Sequence, residues 1–234
     1  DTVAYLNSFS SVMQLISTLV FIGICIRMGF ARPYRIALTI VCVSVLAYTA
    51  LFFLGWSQQH TLVALFVITA VFGIGTGGVY YIPWTVYTFL ADVDEVLTGR
   101  RREGIYAGAM TFAGKLTRSV IVFAMGWTLG QFGFASGQAA QSAMAVQAVA
   151  GVFALGVIGL ALGGIYYTTQ MTLDRKNHAI LLEEIARVRH GGALADVPAP
   201  ARAIAEELTG WPYEQCWGRA THPEMPQEDR TSPT

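Results

Sequence analysis

The sequence predicts an all-α membrane protein with five transmembrane helices, a cytoplasmic amphipathic helix and a polar tail. Composition is the first reason: 54% of the 234 residues are hydrophobic and only 13% are charged, with a mean hydropathy of +0.49, well outside the range of ordinary water-soluble domains. Periodicity is the second, because five uncharged or nearly uncharged stretches are each long enough to cross a ~30 Å hydrocarbon layer as a helix. They cover 3–26, 36–56, 62–90, 105–129 and 143–167. Charge distribution is the third. Acids and bases balance to a net charge of zero, yet they are confined to short connections and the C-terminal segment.

The first span carries Asn7, Ser11, Gln14 and Thr18 at spacings of four, three and four, one polar stripe on one helical face. Lipid cannot satisfy such groups, so the stripe is expected to face protein or a water-filled cavity. The third span exceeds what a bilayer needs. Its interior holds Gly73, Gly75, Gly77 and Gly78, followed by Pro83, which predicts close helix packing or a kink. Tyr80, Tyr81, Trp84 and Tyr87 crowd its second half. Aromatics there serve either as an interfacial belt or as platforms lining a cavity.

The fourth span is the most informative. Lys115 and Arg118 lie one turn apart inside an apolar stretch, and no hydrophobic segment of the chain contains an acid. At ~1.5 Å rise per residue Lys115 is about 15 Å from the charged end of the helix, near the middle of the layer. A cation at that depth costs about 2.5 to 3.5 kcal/mol on insertion scales, so it marks a pathway or a binding site and calls for a negative partner. Gly104, Gly108, Thr111, Lys115 and Arg118 share one face. That face reads as closely packed at one end and open to a polar space near the centre.

Arg27, Arg32 and Arg35 follow the first span, Arg100, Arg101 and Arg102 the third, and Arg175 and Lys176 the fifth, whereas the connections 57–61 and 130–141 contain no Lys or Arg. The positive-inside rule puts the basic loops and tail in the cytoplasm and Asp1 on the outer side, with a bacterial inner membrane as the expected location. An odd number of spans, a start at Asp1 and no cleavable leader predict a fragment preceded by at least one further helix. The connection after the third span packs Asp92, Asp94 and Glu95 against Arg100, Arg101, Arg102 and Glu103. Such a set can close one state of a transporter through ion pairs that break in the other, or it can be a solvated loop that sets topology.

Beyond the spans, an amphipathic helix is expected from Leu173 to Arg189, with Leu181, Ile185 and Val188 on one side and a stop at Gly191 and Gly192. A short helix near 201–208 then gives way to Trp211, Pro212, Pro223, Pro226 and Pro233, so 193–234 reads as a flexible cytoplasmic tail, 171–192 as the amphipathic helix and 1–170 as the membrane unit. Cys25, Cys42 and Cys216 suggest neither a disulfide framework nor a metal site, and His178, His190 and His222 lack metal spacing and are assigned no chemistry. Nucleophile, zinc and phosphate-loop motifs are missing, which argues against an enzyme and against a cofactor. The sparse, membrane-flanking cations argue against nucleic acid as a partner.

The segment from Leu90 to Lys115 resembles the signature region of the glycoside–pentoside–hexuronide:cation symporters, the melibiose-permease branch of the major facilitator superfamily. The resemblance is carried by Ala91-Asp92-Val93-Asp94, by the run Thr98–Gly104 reading TGRRREG, and by Thr111-Phe112-Ala113-Gly114-Lys115. More weakly, it covers the whole hydrophobic region as the last five helices of a twelve-helix fold. The resemblance implies two helical halves rocking around a central site, with this chain forming most of the second. It implies a functional lysine at Lys115, sugar-site positions at Met110 and Thr111, an aromatic platform at or beside Trp84, and an inner gate at Asp92, Asp94 and the arginines. Arg118 and Tyr81 join the substrate-site candidates on position along their helices. Acids that would bind a coupling cation (Na, H or Li) and the principal sugar-binding aspartate belong to the family's first half, the missing partner. Met110 stands where a polar residue is found in melibiose permease. The expected function is sugar:cation symport, with lysophospholipid:sodium symport on the same fold, or a non-transporting scaffold or sensor, as the alternatives.

Overall fold

The computed structural model describes residues 2–54, 58–134, 137, 141–170 and 175–219, the side chains at 58, 59 and 175 excepted. Expectations that fall on Asp1, Trp56, Ser57, Leu173, His222, Pro223, Pro226 and Pro233 lie outside the described residues. Among the described residues the fold is all-helical, with five long helices: α1 (Thr2–Met28), α2 (Ala31–Leu54), α3 (Gln58–Thr98), α4 (Glu103–Gln131) and α5 (Ala143–Thr169). Two shorter ones follow, α6 (Arg175–Arg189) and α7 (Ala199–Thr209), with 3-10 turns at Leu194–Asp196 and Tyr213–Gln215. Among the described residues α1, α2, α3 and α5 are long and apolar enough to cross a membrane. At 29 residues, α4 is long enough. Its two cations and its glycines and threonines leave it less apolar than the other four.

The chain divides into two compact units, one of 1–83 and 112–171, the other of 84–111 and 172–234. In the first, the glycines of α3 let the helices approach closely. A Cβ at Gly73 would lie 2.7 Å from the Ser10 carbonyl oxygen, at Gly77 2.8 Å from that of Gln14, and at Gly78 2.6 Å from Ala37 Cβ. The glycine run thus buys contact with α1 and α2 within one continuous helix, as the packing expectation had it. The packed face of α1 runs from half-buried Ser10 and Met13 to buried Ser17, Phe21 and Cys25, and the Ser17 hydroxyl donates to the Ile74 carbonyl at 2.6 Å. The predicted polar stripe lies on the shoulder of that face. Ser11 and Thr18 return their hydroxyls to Asn7 and Gln14 carbonyls one turn back, and Asn7 is exposed. Between α2 and α5, Val41, Val45 and Ala154 form a small core flanked by Phe72, Val79, Val157 and Ile158. The Ser142 hydroxyl caps α5 by accepting from the Ala145 amide at 3.1 Å.

α3 has 41 residues, more than the ~20 that a hydrocarbon layer needs. Its last stretch is the centre of the second unit. Val96 packs there with Leu181 and Ile185 of α6, Ala205 of α7, and Tyr213, Cys216 and Trp217, flanked by Val93, Val188, Leu194, Val197 and Leu208. Residues 193–219, whose composition reads as tail, are therefore built into a folded lobe. Three aromatic and sulfur side chains closing over an α3 residue more than a hundred positions earlier outweigh the prolines. Composition alone does not record that pairing.

Candidate functional site

The turn joining α3 to α4 follows directly from local chemistry. Gly99 takes a left-handed conformation (φ +67°), and its amide donates to the Glu95 carbonyl at 2.8 Å, a standard way to end a helix. Thr98 returns its hydroxyl to the Asp94 carbonyl at 2.8 Å. The turn brings Arg102 back onto Asp94, eight residues earlier, as a two-pronged pair with Nε to Oδ2 at 2.9 Å and Nη2 to Oδ1 at 2.6 Å. Arg101 pairs with Glu103, and its Nη2 lies 3.9 Å from Asp92 Oδ1. Arg100 is exposed. Of the residues expected at the gate, the structure thus brings Asp92, Asp94, Arg101, Arg102 and Glu103 together in one turn.

Two of the acids, Asp92 and Glu95, are also held by α6. Asp92, Asp94 and Glu95 are 7%, 5% and 6% exposed, a burial that carboxylates tolerate only when paired. Asp92 Oδ2 meets His178 Nε2 at 2.7 Å, and the His178 ring stacks on Phe89 with centroids 3.6 Å apart. Arg189 grips Glu95, with Nε to Oε1 at 2.8 Å and Nη2 to Oε2 at 2.6 Å. A second buried acid lies within the lobe: Glu184 accepts from Arg187 Nε at 2.9 Å and from the Tyr213 hydroxyl. Burial alone would raise the Glu184 carboxyl, but the hydrogen bonds from Arg187 and Tyr213 and the guanidinium charge outweigh it and hold it below the usual carboxylate range. The Tyr213 hydroxyl is pushed up to about 12, by burial first and then by its bond to Glu184.

The sequence by itself assigns no role to His178 and none to Arg189 beyond ending the amphipathic helix. A signal for His178 was present: it precedes Leu181 by three residues and so shares the apolar face of α6 with Leu181, Ile185 and Val188. A histidine on a buried face needs a partner. Nothing local identifies Asp92 as that partner, 86 residues earlier.

The substrate-site candidates are distributed over the two units. Tyr81, Lys115 and Arg118 belong to the first, and Trp84, Met110 and Thr111 to the second. Trp84 is half exposed and stands edge-on to Tyr87, ring centroids 5.5 Å apart. Met110 and Tyr81 are half-buried. The Thr111 hydroxyl donates to the Ala107 carbonyl at 2.8 Å. No residue of α4 is buried, and a Cβ at Gly104, Gly108 or Gly114 would meet open space. The close packing expected along that face is not supplied by the described residues. Lys115 and Arg118 are exposed, and neither forms an ion pair among the described residues. No grouping of three or more His, Cys, Asp or Glu that could hold a metal ion occurs among the described residues.

A segment of 80 residues is 38% identical to a protein of Synechocystis sp. named as an uncharacterized symporter, covering 34% of this chain and 15% of that protein. The chain therefore spans a small part of the length of the curated relative it matches. No solved structure matches significantly. The family model described as MFS/sugar transport protein matches residues 1–175, which takes in α1 to α5 and the whole α3–α4 turn. With long apolar helices, an acid-lined turn and that match over most of its length, the chain belongs to the MFS/sugar transport protein family.

Proposed function

We propose that the chain is the second half of a sugar:cation symporter of the glycoside–pentoside–hexuronide type, working by alternating access. The observation that carries this reading is Lys115: an ammonium group on an apolar helix, with Arg118 one turn on and no carboxylate of the described chain to neutralise either. Such a charge is retained where a ligand or another protein segment meets it. Family membership and the name of the Synechocystis relative support a solute and a coupling ion as that ligand set.

In this mechanism Lys115 serves the site electrostatically and by donating hydrogen bonds to sugar hydroxyls or a hexuronate carboxylate, with Arg118 reinforcing the field toward the outer side. Thr111 and Met110, one turn before Lys115, line the site, and Trp84 or Tyr81 offers a ring face to the sugar. Carboxylates of the first half bind Na, H or Li, and cation and sugar favour conformations in common, which couples their movements. Asp92, Asp94, Glu95, Arg100, Arg101, Arg102 and Glu103 gate the cytoplasmic side, and the basic loops set the topology.

The test is solute flux in proteoliposomes containing the full-length transporter under an imposed ion gradient. Accumulation of a neutral or acidic sugar that collapses with the gradient is the expected result. Sodium-dependent uptake of lysophospholipid instead would replace the sugar, and the absence of flux for either class would leave a scaffold or sensor.

A further inference from the structure

The C-terminal lobe holds the inner end of α3 through three kinds of contact. The first is backbone capping. The last carbonyls of a helix lack partners within it, and here the Trp217 amide donates to the Val96 carbonyl at 2.7 Å and the Gly218 amide to that of Leu97 at 2.9 Å. The second is polar, a hydrogen bond between His178 and Asp92 and an ion pair of Arg189 with Glu95. The third is the apolar core around Val96. Trp217 adopts φ +60° to make its contact, a conformation that non-glycine residues rarely take.

The Arg189–Glu95 pair is asymmetric: the Glu95 side chain is 8% exposed and that of Arg189 48%. Water reaches the guanidinium, so another cation can compete for Glu95. His178 and Asp92 are buried alike, their side chains 9% and 10% exposed.

We infer that residues 175–218 act as a built-in inhibitory clamp: by occupying Asp92 and Glu95 and capping α3, they withhold the gate carboxylates from cations elsewhere in the transporter and slow its cycle. This rests on the transport reading above. Arg189→Gln removes the ion pair to Glu95 and His178→Ala the hydrogen bond to Asp92, neither touching a gate residue. Gly99→Ala loosens the clamp by a different route, since Gly99 has positive φ and a Cβ there would lie 3.0 Å from the Trp217 carbonyl oxygen.

The experiment compares these variants with the native full-length transporter in proteoliposomes by two readouts, chymotrypsin cleavage at the lobe aromatics and initial uptake rate. The expected result is cleavage faster by about tenfold, the factor that loss of a charged contact produces in local opening, together with uptake at least about twofold faster. Unchanged cleavage in all three variants would overturn the clamp. Faster cleavage with unchanged or slower uptake would overturn its inhibitory role and leave a purely structural lobe. Native protein that moves no solute would overturn the transport reading, and the inhibitory role with it, whatever the cleavage shows.

Discussion

Glu184 is the residue most dependent on its surroundings. Its side chain is 1% exposed, and it keeps its charge through Arg187 and Tyr213. The folded lobe lowers its pKa from an ordinary 4.5, so its contribution to stability is fully present above that value and fades as pH falls through the lower, folded-state value. Unfolding of the lobe followed by tryptophan fluorescence should therefore become easier on acidification below about pH 4.5. Glu184→Gln should flatten that dependence and destabilise the lobe by about 2 kcal/mol, the scale of a charged hydrogen bond. An undiminished acid dependence in the variant would assign the effect to another carboxylate. The partners of Glu184 show the limit of what a sequence exposes. Arg187, three residues on, is legible from helical spacing. Tyr213 is not, because it lies 29 residues on, with a 3-10 turn and α7 in between.

At the scale of elements, the apolar helices were largely legible because length and hydropathy decide them, and the glycines of α3 announced close packing. Their partners had to be seen. A Cβ at Gly78 would lie 2.6 Å from Ala37 of α2 and 2.9 Å from the Phe21 ring of α1, so Gly78→Leu should drive the helices apart at a cost of about 1 to 3 kcal/mol. A denaturant titration in detergent would read this as a lowered midpoint, and an unchanged midpoint would refute the contact. Ser142 offers a milder probe. Replacing it with Ala removes the acceptor for the Ala145 amide and should cost about 1 kcal/mol of α5 stability by the same titration. The lobe was less legible. Pro212 and the glycines of 191, 192 and 210 mark the turns of a compact unit as readily as they mark a tail. What distinguishes the two is whether Tyr213, Cys216 and Trp217 find a surface, and that surface is the far end of α3.

For the whole molecule, the candidate gate and the candidate substrate site differ in how completely this chain builds them. The acids in the last turns of α3 are paired among the described residues, through the turn arginines and through α6. The cations of α4 are not, and the helix that carries them buries none of its side chains. That contrast motivates the central claim, that Lys115 is held for a negative or hydroxyl-rich ligand which the rest of the transporter and its solute complete. Sugar accumulation by the full-length transporter under an imposed ion gradient, native against Lys115→Ala, tests it most directly. The account predicts accumulation about ten- to a hundredfold lower in the variant, as loss of a charged hydrogen bond of roughly 1.5 to 3 kcal/mol implies. Accumulation and ion dependence equal to those of the native protein would contradict it.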